Sequence, residues 1–395
     1  MNAVFFDNIK LINQNKYEIP MKKISLIIIL ISLTTSCSNG VSQTETKKAD
    51  ENYSTVVSTL KETVEEHNVP GAALLIKFDD GSTIKEAYGY AKIQKDDSVK
   101  MSTEKQFRIG SLTKTIIGTA VLILVKEGKL NFDDEINDLL PNTLKYCDGI
   151  TLEMLLNQSS SIMNYTTLDS FADIYYYQPR YSWTHSAIVD LFKDQELDDT
   201  PGKLSYYSNS NYYLLGMIVE KYSGQPLDKF LSERIFEPLG MHHSYFPTED
   251  DLHGDYCHGY FDVNEDGNFT EDEDYSSQSP DAIWAAGGVV STLDDLHLWI
   301  NELLSGTLLN EELQAKRENI SVQMAGTPEG VNYGLAIANL FGAVGHTGAV
   351  AGYNAILFKY KNTTFIAFGN GYETVGEKGL IAEDLFENLK KALFE

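Results

Sequence analysis

A serine followed three residues later by a lysine, Ser111 and Lys114, stands at the head of an almost wholly apolar run, Thr115 to Val125. On a helix that spacing puts the amine one turn along on the same face as the hydroxyl. A lysine in an apolar pocket has its pKa lowered by desolvation, so it can take the serine proton and leave an oxygen nucleophile. The helix N-terminus adds backbone N–H groups and partial positive charge where an oxyanion would form. The same spacing recurs at Ser58/Lys61, Ser82/Lys85 and Ser102/Lys105. Ser58 belongs to an amphipathic surface helix, Ser82 follows the Asp80-Gly81 turn, and Ser102 lies in a polar stretch. All three are settings for a solvated serine beside a solvated lysine. Ser111 alone has the buried-helix setting that the chemistry requires.

Two further constellations carry polar groups suited to acyl transfer. Tyr207-Ser208-Asn209 precedes the helical pattern Asn211 to Tyr222 and offers a phenol for proton transfer and an amide to hold a substrate carbonyl. Gly345-His346-Thr347-Gly348-Ala349 lies on a predicted strand, with glycines that let a ligand or another backbone approach closely. Tyr-x-Asn recurs at Tyr360/Asn362 in a predicted turn, and with 23 tyrosines in the chain a lone match says little.

In this order the three elements resemble the serine β-lactamase and penicillin-binding protein superfamily, for which S-x-x-K and K-T-G are signatures. The likeness is greatest to the class C branch, with its DD-carboxypeptidases, D-aminopeptidases, esterases and β-lactamase-like hydrolases. Tyr206 to Gly224, Ile235 to Met241 and Ala285 to Asp295 fit the same pattern, and the resemblance runs from Tyr53 to the C-terminus. It implies Ser111 as the acylated nucleophile, Lys114 as its base and Tyr207 as the proton carrier. Asn209 would hold the substrate amide, and the N–H groups of Ser111 and Ala349 would form the oxyanion hole. His346, Thr347 and Gly348 would face the far end of the substrate, near any terminal carboxylate. The implied activity is that of an exported serine hydrolase working through an acyl-enzyme on D-amino-acid peptides or small esters, with no cofactor required for catalysis. The alternatives are a silent envelope-binding module or a weak β-lactamase. Two departures stand out: His346 replaces the lysine of class C β-lactamases, and Leu156 to Ser161 stands where the family reads L-L-x-H-T-S-G, with Gln158 and Ser161 for its His and Gly.

The 395-residue chain carries a formal net charge of −26, which repels a polyanion and excludes nucleic acid as a partner. Met21-Lys22-Lys23 and the apolar run Ile24 to Leu33 read as a secretory signal, too short to span a bilayer. Residues 1–20 read as an upstream extension. Thr34-Thr35-Ser36-Cys37 resembles a lipoprotein processing site, with Cys37 as the lipidated residue and residues 38–52 as a polar tether. The expected location is the bacterial cell envelope, and the expected partners are a small-molecule or peptide substrate and, through the lipid, the membrane.

Apolar periodicity then predicts a helix over Tyr53 to His67, a hairpin over Gly71 to Ala91, the Ser111 helix, mainly helical segments from Asn131 to Leu239, and a helix over Thr292 to Leu304. Strands follow at Tyr333 to Asn339, Val344 to Thr347, Tyr353 to Tyr360 and Thr364 to Asn370, with a last helix from Val375 to Phe394. This order describes an α+β fold: an antiparallel sheet built from residues 53–130 and 285–395, flanked by N- and C-terminal helices, with a mainly helical lobe (131–284) inserted.

Asp262-Val-Asn264-Glu-Asp266-Gly267-Asn-Phe269-Thr-Glu-Asp-Glu273, within an acidic loop over 262–274, fits the EF-hand calcium loop at Asp262, Asn264, Asp266 and Glu273. It fits equally an acidic hairpin with an Asp-Gly turn, and any calcium would be structural rather than catalytic. Cys147 and Cys257 fit either one disulfide or two buried thiols. His242, His243, His253 and His258 with Cys257 match no standard zinc spacing.

Overall fold

The computed structural model describes residues 43–372 and 379–395. The expected extension, signal segment, Cys37 and the tether up to residue 42 lie outside the described residues, as does the predicted helix start at Val375. The first helix, α1 (Gln43–His67), begins well before Tyr53, so residues 43–52 of the expected tether are helical. Residues 43–52 are almost wholly polar and residues 47–50 are exposed, with an i,i+4 contact of 3.6 Å between Lys47 and Glu51, so hydrophobic periodicity gave no sign of this stretch.

Nine strands among the described residues form one antiparallel sheet. They are β1 (Gly71–Lys77), β2 (Thr83–Lys92), β3 (Val99–Lys100), β4 (Val322–Gln323), β5 (Val331–Tyr333), β6 (Ala338–Leu340), β7 (Ala343–Val350), β8 (Tyr353–Tyr360) and β9 (Thr363–Gly369). Their order is β3-β2-β1-β9-β8-β7-β6-β5-β4, so the two ends of the chain meet at the β1–β9 pair, where Leu74 lies opposite Ala367. Successive side chains of a strand point to opposite faces. Ala73 and Leu75 of β1 therefore enter one core while Ala72, Leu74 and Ile76 enter another, and Ile366 and Phe368 of β9 alternate with Phe365 and Ala367 in the same way. Both faces are covered, which is why these strands read as unbroken apolar runs. One face carries α1 and the last helix, α5 (Ile381–Phe394). The other carries α2 (Thr113–Lys126), α4 (Leu293–Ser305) and the helical lobe with α3 (Asn209–Ser223).

Tyr333 to Asn339, predicted as one strand, is instead the hairpin β5–β6, turned at Gly334 and at Ala336 with φ +62°. Its apolar residues are continuous in sequence because residues 333–338, the end of β5, the turn and the start of β6, are all buried. The β8–β9 turn is as expected, with Lys361 and Asn362 at φ +46° and +64°, the twist a two-residue hairpin needs. No helix among the described residues is long and apolar enough to cross a membrane.

Leu385 of α5 is 0 % exposed in the core between α1, α5 and the sheet. Leu385→Ala should cost about 2–5 kcal/mol, read as a lower urea midpoint.

Candidate active site

Ser111 sits in the 3₁₀ turn Gly110–Leu112 that runs directly into α2, and every residue of α2 from Thr113 to Leu124 is buried. The turn is pressed against β7. A Cβ on Gly348 would fall 2.1 Å from the Ile109 carbonyl, and one on Gly110, whose φ is +55°, would fall 2.5 Å from Ala349 N. Only glycines permit this approach, which sets the Ala349 amide beside the turn that carries Ser111.

Lys114 is 0 % exposed. Its Nζ lies 2.9 Å from Ser111 Oγ, 2.7 Å from Asn209 Oδ1 and 2.6 Å from the Ala286 carbonyl. Among the described residues no carboxylate forms an ion pair with it, and burial pushes its pKa well below the ordinary lysine value. A neutral amine has two N–H donors and one lone pair. The Asn209 and Ala286 oxygens can only accept, so they take both donors and the lone pair faces the Ser111 hydroxyl. Three chain segments thus hold one base: α2 itself, the start of α3 and the turn Trp284–Ala286. A Cβ on Gly216 of α3 would fall 2.5 Å from Ala285 Cβ, so α3 and that turn are themselves in tight contact.

Tyr207 stands above the amine, with Lys114 Nζ 4.9 Å from its ring centroid. Burial pushes its phenol well above the ordinary value, and the neighbouring Tyr333 adds to this, against a hydrogen bond with Ser111 that works the other way. Tyr207 therefore keeps its proton at neutral pH and can donate it, and of the two groups the amine is the one suited to accept a proton. The Tyr-x-Asn segment is clamped by the loop that departs from the family pattern. Gln158, with φ +64° and 0 % exposure, accepts from Tyr206 N through its carbonyl (2.8 Å) and from Ser208 N through Oε1 (3.1 Å). Asn164 Oδ1 accepts from Asn209 N at 3.0 Å. Gln158 thus brackets Tyr207 on both sides, a role that was not legible from its sequence position. The sequence marks this loop only as a departure from the family pattern, and in the structure the Gln158 backbone carbonyl and side chain together hold the Tyr207 segment.

On β7, His346 is 2 % exposed and opposes Leu357 on the Ser111 face of the sheet. Its Nδ1 lies 2.5 Å from the Thr347 carbonyl and its Nε2 2.8 Å from Tyr333 Oη. Nδ1 therefore carries the proton and Nε2 accepts from the phenol. Burial, with Lys114 nearby, lowers the pKa to about 3, so the ring is neutral. Thr347 opposes Ile356, whose side chain belongs to the α1/α5 core. Glu383 of α5 lies near it, a carboxyl that burial and the adjacent Asp384 push up to about 8. Tyr333 and Glu383 are two neighbours of the site that the sequence did not single out, because each arrives from an element distant in the chain.

A family model described as Beta-lactamase matches residues 56–382. The chain belongs to that family. Its curated relatives include "Penicillin-binding protein 4" of Amycolatopsis lactamdurans, 33% identical over 191 residues, which are 47% of this chain and 47% of that protein. The alignment thus spans about half the length of the relative. Among solved structures it is similar to a D-stereospecific amidohydrolase from Streptomyces sp., with a TM-score of 0.74 and 25% identity over 87% of this chain and 98% of that one. It is likewise similar to the D-amino acid amidase from Ochrobactrum anthropi SV3 complexed with L-phenylalanine amide, with a TM-score of 0.74 and 25% identity over 87% and 97% of the two chains. Family membership, the antiparallel sheet and the flanking helices agree with the sequence reading, and the chain is of the serine hydrolase type found in this superfamily.

In this Beta-lactamase member a cavity of about 180 Å³ opens beside Tyr207, lined also by Met163, Asn164, Tyr206 and the exposed Asp198. Tyr175 is buried and Tyr177 is 64 % exposed, so the tyrosine run is divided between core and surface. Asp262, Asn264, Asp266 and Glu273 lie apart from Ser111 on the loop after the short strand Tyr260–Phe261. Cys147 and Cys257 are buried free thiols, and His258 pairs with Asp274 at 2.6 Å. Among the described residues no three His, Cys, Asp or Glu side chains are gathered to hold a metal.

The unfolded lysine keeps its proton up to its ordinary pKa, whereas folded Lys114 has already lost it. The Lys114 contribution to stability therefore rises with pH between the lowered pKa and the ordinary one. Lys114→Met should flatten that dependence in thermal melts followed across pH, and should slow acylation by about 10²–10⁴-fold. In the wild type, acylation should fall as pH drops through the lowered Lys114 pKa.

Proposed function

We propose that this chain is an exported, class C-like serine hydrolase that cleaves amide or ester bonds beside D-amino acids through an acyl-enzyme on Ser111. The observation that carries this reading is the buried Lys114 amine, with both donors engaged by acceptors and its lone pair on Ser111 Oγ. Lys114 takes the serine proton as Oγ attacks the carbonyl carbon, and the N–H groups of Ser111 and Ala349 receive the oxyanion. Collapse expels the amine or alcohol, which takes a proton from Tyr207, and the phenol is restored from Lys114. Water then attacks the ester, its proton passing by the same two groups.

The neutral His346 and the carboxylate of Asp198, which lines the cavity beside Tyr207, favour a substrate with an uncharged or amino-bearing end over one ending in a carboxylate. The solved relatives, one a D-stereospecific amidohydrolase and the other a D-amino acid amidase, support the same class. Export rests on the Met21 to Cys37 pattern.

Intact-protein mass after separate incubation with a fluorophosphonate and a penicillin tests the nucleophile, with Ser111→Ala as control. The fluorophosphonate should add to wild type alone, and its failure to add would overturn the acyl-enzyme. D-phenylalanine amide should then be cleaved faster than its L-enantiomer. Equal rates would remove the stereochemical assignment and leave the nucleophile standing.

A further inference from the structure

We propose that the cavity between α4, the helix Glu311–Glu318 and strands β6 to β8 is a ligand site of its own, one that takes a small carboxylic acid with an apolar body. The cavity has a volume of about 500 Å³, within the usual range for small-molecule sites. It shares no residue with the cavity beside Tyr207. Val344 of β7 and Lys359 of β8, which line it, oppose each other in the ladder, and the next pair along the same face is His346 and Leu357.

The charge balance points to an acid. Arg317 lines the cavity and is 1 % exposed, yet among the described residues it forms no ion pair. Its Nη1 donates to the Leu303 carbonyl at 3.3 Å and its Nη2 to Thr119 Oγ1 at 2.9 Å, both neutral acceptors, and its buried Nε has no hydrogen-bond partner. Two carboxylates lie near enough to attract it, and both are engaged elsewhere. Glu302 accepts from Thr307 N at 3.0 Å and Leu308 N at 2.8 Å, and Glu318, exposed on the rim, accepts from Gln314 Nε2 at 3.2 Å. Burial lowers the Arg317 pKa to about 10, so the guanidinium is still charged at neutral pH. Lys359, half-buried at the same cavity, likewise forms no ion pair among the described residues. Lys361 lends only its stem, because its Nζ lies over the Tyr360 and Phe394 rings at 5.2 and 5.5 Å. Buried charges are ordinarily paired. A chain with 57 acidic residues against 31 basic ones has nonetheless left two cations without a carboxylate at one cavity.

The rest of the lining sets the body of the ligand. Leu303, Leu304, Ile320, Ile337 and Val344 present apolar surface. An inorganic anion would answer the charge and leave that surface wet, and a neutral apolar molecule would cover the surface and leave Arg317 unpaired. A carboxylate on an apolar body does both, and its two oxygens suit a guanidinium. Arg317 is also tied to the helix that carries Lys114, since Thr119 of α2 passes the contact on to the Thr115 carbonyl at 2.8 Å. A bound acid would thus clamp α4, the helix Glu311–Glu318 and β7–β8 against α2. This assignment does not rest on the hydrolytic one.

The test is a calorimetric titration of the full chain with hydrocinnamate, beside hydrocinnamyl alcohol as its uncharged counterpart and acetate as the charge without the body. Hydrocinnamate should bind saturably with a dissociation constant of about 1 mM or tighter, and the other two about tenfold more weakly. Lys359→Glu, which reverses a charge, and Ile320→Trp, which fills the cavity, should each weaken hydrocinnamate binding about tenfold or more. Lys48→Glu, at an exposed lysine of α1, should leave it unchanged. Hydrocinnamate should also raise the melting temperature of wild type and not that of Lys359→Glu. Absence of saturable binding to wild type, or binding of the alcohol as tight as that of the acid, would overturn the proposal. So would binding kept by both cavity variants and lost once Ser111 is phosphonylated, which would place the acid at the catalytic serine instead. If either cavity variant fails to fold by circular dichroism, the other still decides.

Discussion

The Lys114 amine, with no exposed surface, meets Ser111 Oγ, Asn209 Oδ1 and the Ala286 carbonyl at once, and the arrangement of both lobes follows from holding it there. A charged amine in that position would carry a large desolvation cost with no carboxylate to offset it. The neutral form is the one the site accommodates, and it is also the form that can act as base. The stability given up by burying an ionisable group and the chemistry gained from it have one physical origin. The buried α2 helix is what keeps water from restoring the amine's ordinary proton affinity.

Around this base the chain uses backbone contact where precision is needed. Gly110 and Gly348 let the serine turn and β7 touch without side chains between them, so the two amides proposed to receive an oxyanion are set by main-chain packing rather than by rotamers. Arg108, one strand residue before the turn, is buried and donates to the carbonyls of Asp250, Ser276 and Gln278. It anchors the second-lobe loops to the catalytic turn with three neutral acceptors. The result is a serine turn held in place by segments that are distant in the sequence.

The sheet itself was largely readable. Strands buried on both faces leave continuous apolar runs, and the Lys361-Asn362 turn has the residue types its backbone demands. Reading failed where two buried arms followed each other without a polar break, so the β5–β6 hairpin looked like one strand, and where a helix end carried no apolar stripe, as in residues 43–52. The site shows the same division. Ser111 stood out among four S-x-x-K pairs because burial of a helix is written in its composition, while Gln158 read only as a departure from the family pattern because its role lies in the Tyr206 and Ser208 amides it holds.

The sequence alone determined which residues could do chemistry here: a serine and lysine one helical turn apart, a tyrosine and asparagine before a second helix, and a glycine-flanked strand, in the order that marks the family. Those are local properties, set by helical period, residue type and hydrophobicity within a few positions. Tertiary structure decided what each group is free to do. It spends both His346 nitrogens on Tyr333 and the Thr347 carbonyl, sets Thr347 opposite Ile356 of the α1/α5 core, and leaves Lys114 its lone pair. Hydrogen-bond partners and desolvation come from segments 13 to more than 170 residues away in the chain, and no pattern along the sequence encodes that encounter.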